Sequence, residues 1–137
     1  MQCIRCDNIT LNSDAEPFYR CPVCCRQFRL HTNGKLVERW LGPISTVLYP
    51  VQYDSLPQAK AAEMAEQLYQ ATYGHVKTSF RRFTPEQLTY LIQELELELN
   101  SPVQQVADIL KSRASEAELR AYMAQLVMQL KHKIAAC

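Results

Sequence analysis

The sequence predicts an α+β protein, with a small N-terminal module of three antiparallel strands followed by a mainly α-helical domain of three to four helices. Five of the six cysteines lie before residue 50, whereas alanine, glutamine and leucine become frequent after it. The second half also carries repeated helix-start signals and apolar side chains at helical spacing. We place the N-terminal module at residues 1–41, an extended connector at residues 42–54 and the helical domain at residues 55–137.

The predicted sheet depends on one hairpin signal, the dipeptide Asn33-Gly34. Asparagine followed by glycine favours the tight turns that join antiparallel strands. We expect strands at residues 27–32 and 35–40 on either side of it, and a further strand at residues 18–20. Gly42, Pro43 and Pro50 then surround short apolar runs, which favours an extended connector over a helix.

Helix starts are predicted by capping boxes, in which an oxygen side chain precedes Glu or Gln by three residues and both satisfy free backbone N–H groups. The pairs are Ser55 with Gln58, Thr84 with Gln87, Ser101 with Gln104, and Ser115 with Glu118. Proline directly after Thr84 and Ser101 strengthens those two starts. We expect the first helix to end near Tyr73, because Gly74 can adopt the left-handed conformation that terminates helices. The last two helices could also merge into one.

Apolar side chains at helical spacing predict a buried stripe on each of two helices. The stripes are Leu88, Leu91, Ile92, Leu95 and Leu99 on one helix, and Leu119, Tyr122, Met123, Leu126, Val127 and Leu130 on the other. Tyr90 and Leu97 lie off the first stripe, and they form either a second seam against a protein partner or further buried surface. Glu94, Glu96 and Glu98 predict acidic exposed sides on the same helix.

The most specific motif consists of two C-x-x-C pairs, Cys3 with Cys6 and Cys21 with Cys24, separated by fourteen residues. Each pair can place two sulfurs on one side of a tight turn, and two such turns complete the tetrahedron that zinc prefers. With four protein ligands no position stays open for water, so we expect one structural Zn²⁺. Paired spacing without an export signal favours metal over disulfides, and iron remains an alternative at four thiolates.

The two cysteine pairs, the strand at Phe18-Tyr19-Arg20 and the hairpin at Asn33-Gly34 resemble the zinc-ribbon superfamily over about the first forty residues. The resemblance implies that each pair forms a knuckle at the end of a β-hairpin and that a three-stranded sheet covers the metal. Zinc ribbons recur in transcription and translation complexes. The resemblance therefore implies a place in nucleic-acid machinery.

Many zinc ribbons carry glycine directly after the second knuckle, where this chain has Cys25. Cys25 is therefore an alternative fourth ligand, although we favour Cys24 because its spacing matches the first pair. Cys25 could also be a reactive thiol, since zinc and Arg26 nearby favour a thiolate, although we favour a partly buried cysteine next to the ligands. His31 is a weaker alternative ligand, and Cys137 is assigned no role.

Two basic stretches are candidate contacts for nucleic acid or an acidic partner. The first lies in the N-terminal module and the second between predicted helices, and their basic residues are Arg20, Arg26, Arg29 and Lys35, then Lys77, Arg81 and Arg82. Such side chains bind phosphates while neighbouring aromatic rings stack on bases. The competing interpretation is a solvated hairpin and a loop held to the core by Phe80 and Phe83. A helix-turn-helix formed by residues 101–110 and 115–126, with Arg113 and Arg120 near the start of the second helix, is a weaker alternative.

Charge and motif content narrow the expected function. The net charge of +1 is far from that of a nonspecific nucleic-acid binder, so such contact must come from a local patch. A βαβ pattern around one C-x-x-C and a glycine-rich phosphate loop are absent, so we expect no enzyme. We expect a zinc-binding adaptor or regulatory protein that docks onto a larger assembly of nucleic-acid machinery. The alternatives are an adaptor that binds only protein through its helical domain, and a thiol redox sensor.

The sequence contains no apolar run long enough to cross a bilayer, and its first thirty residues carry charges and cysteines where a signal peptide is apolar. We therefore expect a soluble, cytoplasmic protein with no membrane partner. No motif indicates a small-molecule substrate.

Overall fold

The computed structural model describes residues 1–39, 47–74, 83–106 and 112–135. It confirms the α+β class, since a four-stranded antiparallel sheet precedes three long α-helices. The strands are β1 (Asn12–Ser13), β2 (Phe18–Arg20), β3 (Gln27–Leu30) and β4 (Leu36–Glu38), and the helices are α1 (Ala61–Tyr73), α2 (Pro85–Asn100) and α3 (Glu116–Ala135). Short 3-10 helices cover Tyr49–Val51 and Pro57–Lys60. None of the helices in these ranges combines the length and apolarity needed to cross a membrane.

The sheet contains one strand more than predicted. The additional strand β1 pairs antiparallel with β2, placing Asn12 opposite Arg20 and Ser13 opposite Tyr19. Because β1 has only two residues, it offers no alternating pattern from which a strand could be recognised. The predicted count of three strands was therefore wrong, and the sheet order is β1-β2-β3-β4.

The hairpin predicted at Asn33-Gly34 is confirmed, although its strands are shorter than expected. β3 and β4 pair antiparallel, with Arg29 opposite Val37. Gly34 has a φ of 85° and donates its N–H to the carbonyl oxygen of His31 at 3.0 Å. This left-handed position explains the glycine, because an L side chain is strained there.

The first helix begins later than predicted. A 3-10 turn over Pro57–Lys60 precedes α1, whose first residue is Ala61 rather than a residue next to Ser55. Proline disfavours the helical region for the residue before it, and Leu56 accordingly has φ −130° and ψ 72°. A continuous helix from Ser55 through Leu56 is therefore blocked.

The end of α1 lies at Tyr73 as predicted, but Gly74 is extended, with φ −90° and ψ 173°, and not left-handed. A Cβ atom at Gly74 would lie 2.9 Å from the carbonyl oxygen of Gln70, so close backbone approach accounts for the glycine. Part of the connector predicted to be extended is also helical, since Pro50 lies in a 3-10 turn where its fixed φ fits.

Of the remaining predicted caps, two form and one does not. Thr84 and Gln87 make a complete capping box at the start of α2, with Gln87 N–H donating to Thr84 Oγ1 at 3.1 Å. Ser115 Oγ accepts the N–H of Glu118 at 3.2 Å at the start of α3. The start predicted at Ser101 was wrong, because Ser101 ends α2 and its N–H donates to Leu97.

Both predicted apolar stripes pack into one core. Every member is buried except Leu99, which packs against the core while partly exposed. Tyr122 in α3 donates its hydroxyl to the carbonyl oxygen of Val47 at 2.6 Å, which ties the segment before α1 to the helices. Tyr90 and Leu97 lie outside this core and are 47% and 36% exposed.

We expect Thr84→Ala to lower the free energy of unfolding by about 1 kcal/mol, because the first turn of α2 loses its capping oxygen. Urea denaturation followed by circular dichroism measures the change. Thr89→Ala is the matched control, since Thr89 is an exposed threonine of the same helix that bonds the Pro85 carbonyl oxygen and caps nothing. Equal losses in the two variants would contradict the capping role.

Candidate metal centre

The first cysteine pair lies in a closed turn, the first knuckle (residues 3–9). The Cys3 N–H donates to the carbonyl oxygen of Ile9 at 2.8 Å, and the Arg5 N–H points at Cys3 Sγ at 3.4 Å. Asn8 takes the left-handed conformation with φ 57°, which asparagine tolerates better than most residues. This turn brings the sulfurs of Cys3 and Cys6 to one side of the backbone.

The second knuckle (residues 21–26) repeats this construction. The Cys21 N–H donates to the carbonyl oxygen of Arg26 at 3.0 Å, and the N–H groups of Val23 and Cys24 each lie 3.4 Å from Cys21 Sγ. Cys25 is the left-handed residue here, with φ 62°. In both knuckles the left-handed residue directly precedes the residue whose carbonyl closes the turn. Backbone geometry thus explains why glycine would suit position 25.

The four sulfurs converge on one point. The Sγ atoms of Cys3, Cys6, Cys21 and Cys24 all lie within 4.8 Å of one another, and those of Cys3 and Cys24 are 3.8 Å apart. Tetrahedral zinc with Zn–S bonds of about 2.3 Å places its sulfurs about 3.8 Å from one another. The donor set and its spacing therefore fit a divalent metal ion, and the separation of Cys3 from Cys24 is far too long for a disulfide.

The thiols are held in an environment that opposes their joint ionisation. Burial raises the pKa of Cys24 to about 12 and also raises the pKa of Cys6. For Cys21, burial acts most strongly and raises the pKa, but hydrogen bonds from the backbone of Cys24 and Val23 and from the side chains of Cys24 and Cys3 together lower the pKa to about 7. Four thiolates so close together need a cation between them, which a bound metal supplies.

An apolar layer from the sheet covers the sulfurs. Phe28 in β3 is fully buried and packs with Leu11 and the buried Cys3 and Cys21. Residues pack around this layer while partly exposed, among them Ile4, Cys6, Ile9, Tyr19, Cys24 and Leu36. The cluster shares no residue with the helical core, so the four-cysteine group has its own small core.

The other sequence candidates for ligands lie outside the four-sulfur group. Cys25 is exposed and contributes no atom to it, while the neighbouring Cys24 does. His31 lies in the hairpin turn, where its N–H bonds Lys35. Cys137 falls outside the described residues. The structure thus groups the four cysteines favoured by spacing.

Buried ion pairs connect the N-terminal module (residues 1–39) to the helices, and we call this set the ion network. Its charged members are Arg5, Arg26, Glu38, Glu94, Glu98, Glu116 and Arg120, and the amide of Gln104 joins it by hydrogen bonds to Glu38 and Glu98. Arg5 Nε lies 2.9 Å from Glu38 Oε2, and its Nη2 contacts the carboxylate of Glu98 in α2. The side chains of Glu38 and Glu98 are 4% and 0% exposed. Loss of one partner from a buried pair costs about 3–5 kcal/mol, so these contacts are strongly constrained.

Arg26 belongs to this network and not to an exposed basic surface. Its guanidinium binds Glu94 through two hydrogen bonds of 2.6 and 2.8 Å and reaches Glu38 Oε1 at 2.6 Å. The hydrogen bonds to Glu94 raise the pKa of Arg26 above its usual value. The prediction that Arg26 contributes to an exposed contact surface was therefore wrong, because its guanidinium is bound by Glu38 and Glu94.

Two further expectations from the sequence were wrong for the same reason. Glu98 was predicted to lie on an exposed side of its helix, but it is buried between Arg5 and Arg120. Arg120 was a candidate for a DNA-reading position, yet it bonds Glu98 Oε1 at 3.0 Å and the carbonyl oxygen of Gln104 at 2.8 Å. Gln104 also donates to Glu38 and Glu98, which explains why it does not cap a helix at Ser101.

The opposite side of the sheet is basic, and we call it the arginine face (Phe18, Arg20, Arg29 and Arg39). Phe18 lies opposite Arg29 in the register, and Arg20 lies opposite Gln27. Because residues two apart on a strand point to the same side of the sheet, Phe18, Arg20 and Arg29 share one side. The Arg39 N–H bonds Gln27, which continues this side into the next strand. The guanidinium of Arg39 lies over the Phe18 ring at 4.4 Å. Arg39 was not among the contact residues predicted from the sequence. It lies two residues after Val37, which is opposite Arg29, so the alternation of side chains along the hairpin places it on this face.

The other predicted contact residues are placed only in part. Lys35 is exposed in the hairpin turn, beside the sheet. Arg20 is exposed and pairs with Asp14 at 3.3 Å. Lys77, Arg81 and Arg82 fall outside the described residues, so the second basic stretch remains a prediction.

We expect Cys24→Ser to abolish stoichiometric metal binding, because serine supplies a much poorer ligand at one corner of the four-sulfur group. Cys25→Ser is the matched control, and it should keep one metal ion per chain because its side chain is exposed. Elemental analysis of the purified full chain measures both. Loss of metal in Cys25→Ser with retention in Cys24→Ser would reverse the ligand assignment.

Comparison of the chain with protein-family models, curated proteins and solved structures found no match. What the site does is therefore inferred from its own geometry and chemistry.

Proposed function

We propose that the chain is a non-enzymatic zinc-binding protein of the zinc-ribbon type that contacts nucleic acid through its arginine face while docked on a larger assembly. The observation that carries this proposal is the sheet register, which gathers Arg20, Arg29 and Arg39 beside Phe18 on the side of the sheet away from the metal. In this proposal the metal holds the sheet in shape and the arginines make the contacts.

Zinc is the ion that the centre suits best. Four cysteine sulfurs within 4.8 Å of one another can fill all four positions of a tetrahedral zinc ion. The ion in such a closed site would stabilise the fold and have no position for a substrate. The bound ion would neutralise part of the charge of four thiolates. The residues that would hold it are Cys3, Cys6, Cys21 and Cys24.

The arginine face has the chemistry of a phosphate-binding surface. Adjacent strands lie about 4.8 Å apart, so arginines on neighbouring strands can reach successive backbone phosphates. Phe18 offers an aromatic surface next to them, and its contact with Arg39 keeps that guanidinium in place. Asp14 pairs with Arg20 and weakens the positive potential at one end. Arg29 and Arg39 are therefore the strongest candidates for direct contact.

A second candidate function is binding of a protein partner through α2. Tyr90 and Leu97 are exposed large side chains seven residues apart on this helix, which places them on one side of it. Aromatic and aliphatic side chains of this kind often anchor protein interfaces. In this case the chain would be an adaptor whose association depends on apolar contact instead of charge.

We expect the double change Arg29→Ala and Arg39→Ala to weaken binding of a fluorescent single-stranded RNA or DNA of mixed sequence. The slope of log affinity against log salt should fall by about 0.7 for each phosphate that the variant no longer binds. Fluorescence anisotropy at several salt concentrations measures this. Lys131→Ala is the control, since it removes a positive charge from an exposed side chain on α3.

Equal weakening in the control would mean that only overall charge matters, which contradicts the arginine face as a site. Absence of any oligonucleotide binding, with capture of a protein complex that survives high salt and is lost in Leu97→Asp, would favour the protein-binding function.

A further inference from the structure

Arg5 connects the first knuckle to α2 through two different parts of the residue. Its backbone N–H points at Cys3 Sγ at 3.4 Å, while its guanidinium binds Glu38 and the buried carboxylate of Glu98. The position of the sulfur and the position of the guanidinium are therefore set by the same short turn. A displacement of the knuckle would move both.

Arg26 makes the corresponding connection from the second knuckle. Its carbonyl oxygen accepts the Cys21 N–H at 3.0 Å, and its own N–H hydrogen-bonds Cys24. Its guanidinium binds Glu94 and Glu38. Each knuckle thus contributes one arginine, and each arginine reaches a different glutamate of α2 one helical turn apart.

The buried carboxylates of α2 and β4 depend on Arg5 and Arg26 for compensation of their negative charge. Within the described residues, the cation partners of Glu38 are Arg5 and Arg26, and the cation partner of Glu94 is Arg26. Glu98 has Arg5 and also Arg120 of α3. Withdrawal of both knuckle arginines would leave Glu38 and Glu94 without a cation, in a region where their side chains are 4% and 12% exposed. Such carboxylates favour movement into water.

We propose that α2 is part of the metal centre, with Glu94 and Glu98 setting its metal affinity through Arg5 and Arg26, and that metal release frees the N-terminal module from α2. This inference rests on the proposed zinc binding. Coupling between two equilibria is reciprocal, so if the bound ion stabilises the docked arrangement, the docked arrangement must raise the affinity for the ion. Substitution of residues that orient the metal ligands without binding the metal commonly weakens metal affinity by about 10–100-fold.

The first test measures zinc affinity of the full chain by competition with a chromophoric chelator. Glu94→Gln should bind zinc about 10-fold more weakly, because the amide keeps the shape of the side chain but loses the charged pair with Arg26. Glu96→Gln is the matched control on the same helix, since within the described residues the ion-pair partner of Glu96 is Lys131 of α3. Equal affinity in Glu94→Gln and the original chain would overturn the proposal.

Glu98→Gln should have the larger effect on zinc affinity, but a change at a fully buried carboxylate can also unfold the chain. Helical content by circular dichroism separates the two effects, and the more exposed Glu94 keeps the test decisive if Glu98→Gln unfolds. A loss of affinity with unchanged helical content is the expected signature of coupling. Loss of helical content in Glu98→Gln, combined with an unaltered zinc affinity in Glu94→Gln, would contradict the coupling.

The second test follows hydrogen exchange of the full chain with zinc bound and after chelation. We expect amides of the last half of α2 and of the first turns of α3 to exchange faster without zinc, together with those of the knuckles. Faster exchange confined to the N-terminal module would overturn the coupling while leaving zinc binding intact. Failure to bind zinc at all would instead contradict the proposed function on which the coupling rests.

Discussion

The buried carboxylate of Glu98 is the constraint on which the arrangement of the chain depends. It lies on α2 with no exposed surface and is satisfied by Arg5 from the N-terminal module and Arg120 from α3. A charge buried in this way needs its partners in place, so three distant parts of the chain must meet at one point. The apolar cores of the module and of the helices are separate, and the ion network bridges them.

In our account, a metal ion held by the four-cysteine group supplies the stability that the N-terminal module lacks. Its core has few buried side chains, of which Phe28 is the only large aromatic ring within the described residues, and modules of this size rarely fold on apolar burial alone. A structural zinc site contributes about 10–16 kcal/mol of apparent binding free energy. In our account this energy holds the two knuckles, and the knuckles hold Arg5 and Arg26 against α2. The sheet's other side is then free to carry exposed arginines.

The four-cysteine group, the hairpin and the buried helix stripes were predictable, because each depends on local spacing that appears directly in the residues. The cap at Thr84 was predictable for the same reason. The contacts of Gln104 and Arg26 were not predictable, since their partners lie 66 and 68 residues away in the sequence and no local pattern indicates such pairs. Glu98 looked like a solvated helix residue because glutamate is buried only when paired. Contacts between distant parts of the chain therefore determine the positions of Gln104, Arg26 and Glu98, which the sequence alone predicted to lie in a cap or on the surface.

X-ray absorption at the zinc edge tests most directly the claim that one metal ion joins the two knuckles. Measured on the zinc-loaded full chain at one ion per chain, the spectrum should show four sulfur neighbours at about 2.3 Å and no light-atom ligand. That result would establish the closed centre formed by Cys3, Cys6, Cys21 and Cys24. A shell containing nitrogen or oxygen, or fewer than four sulfurs, would contradict it.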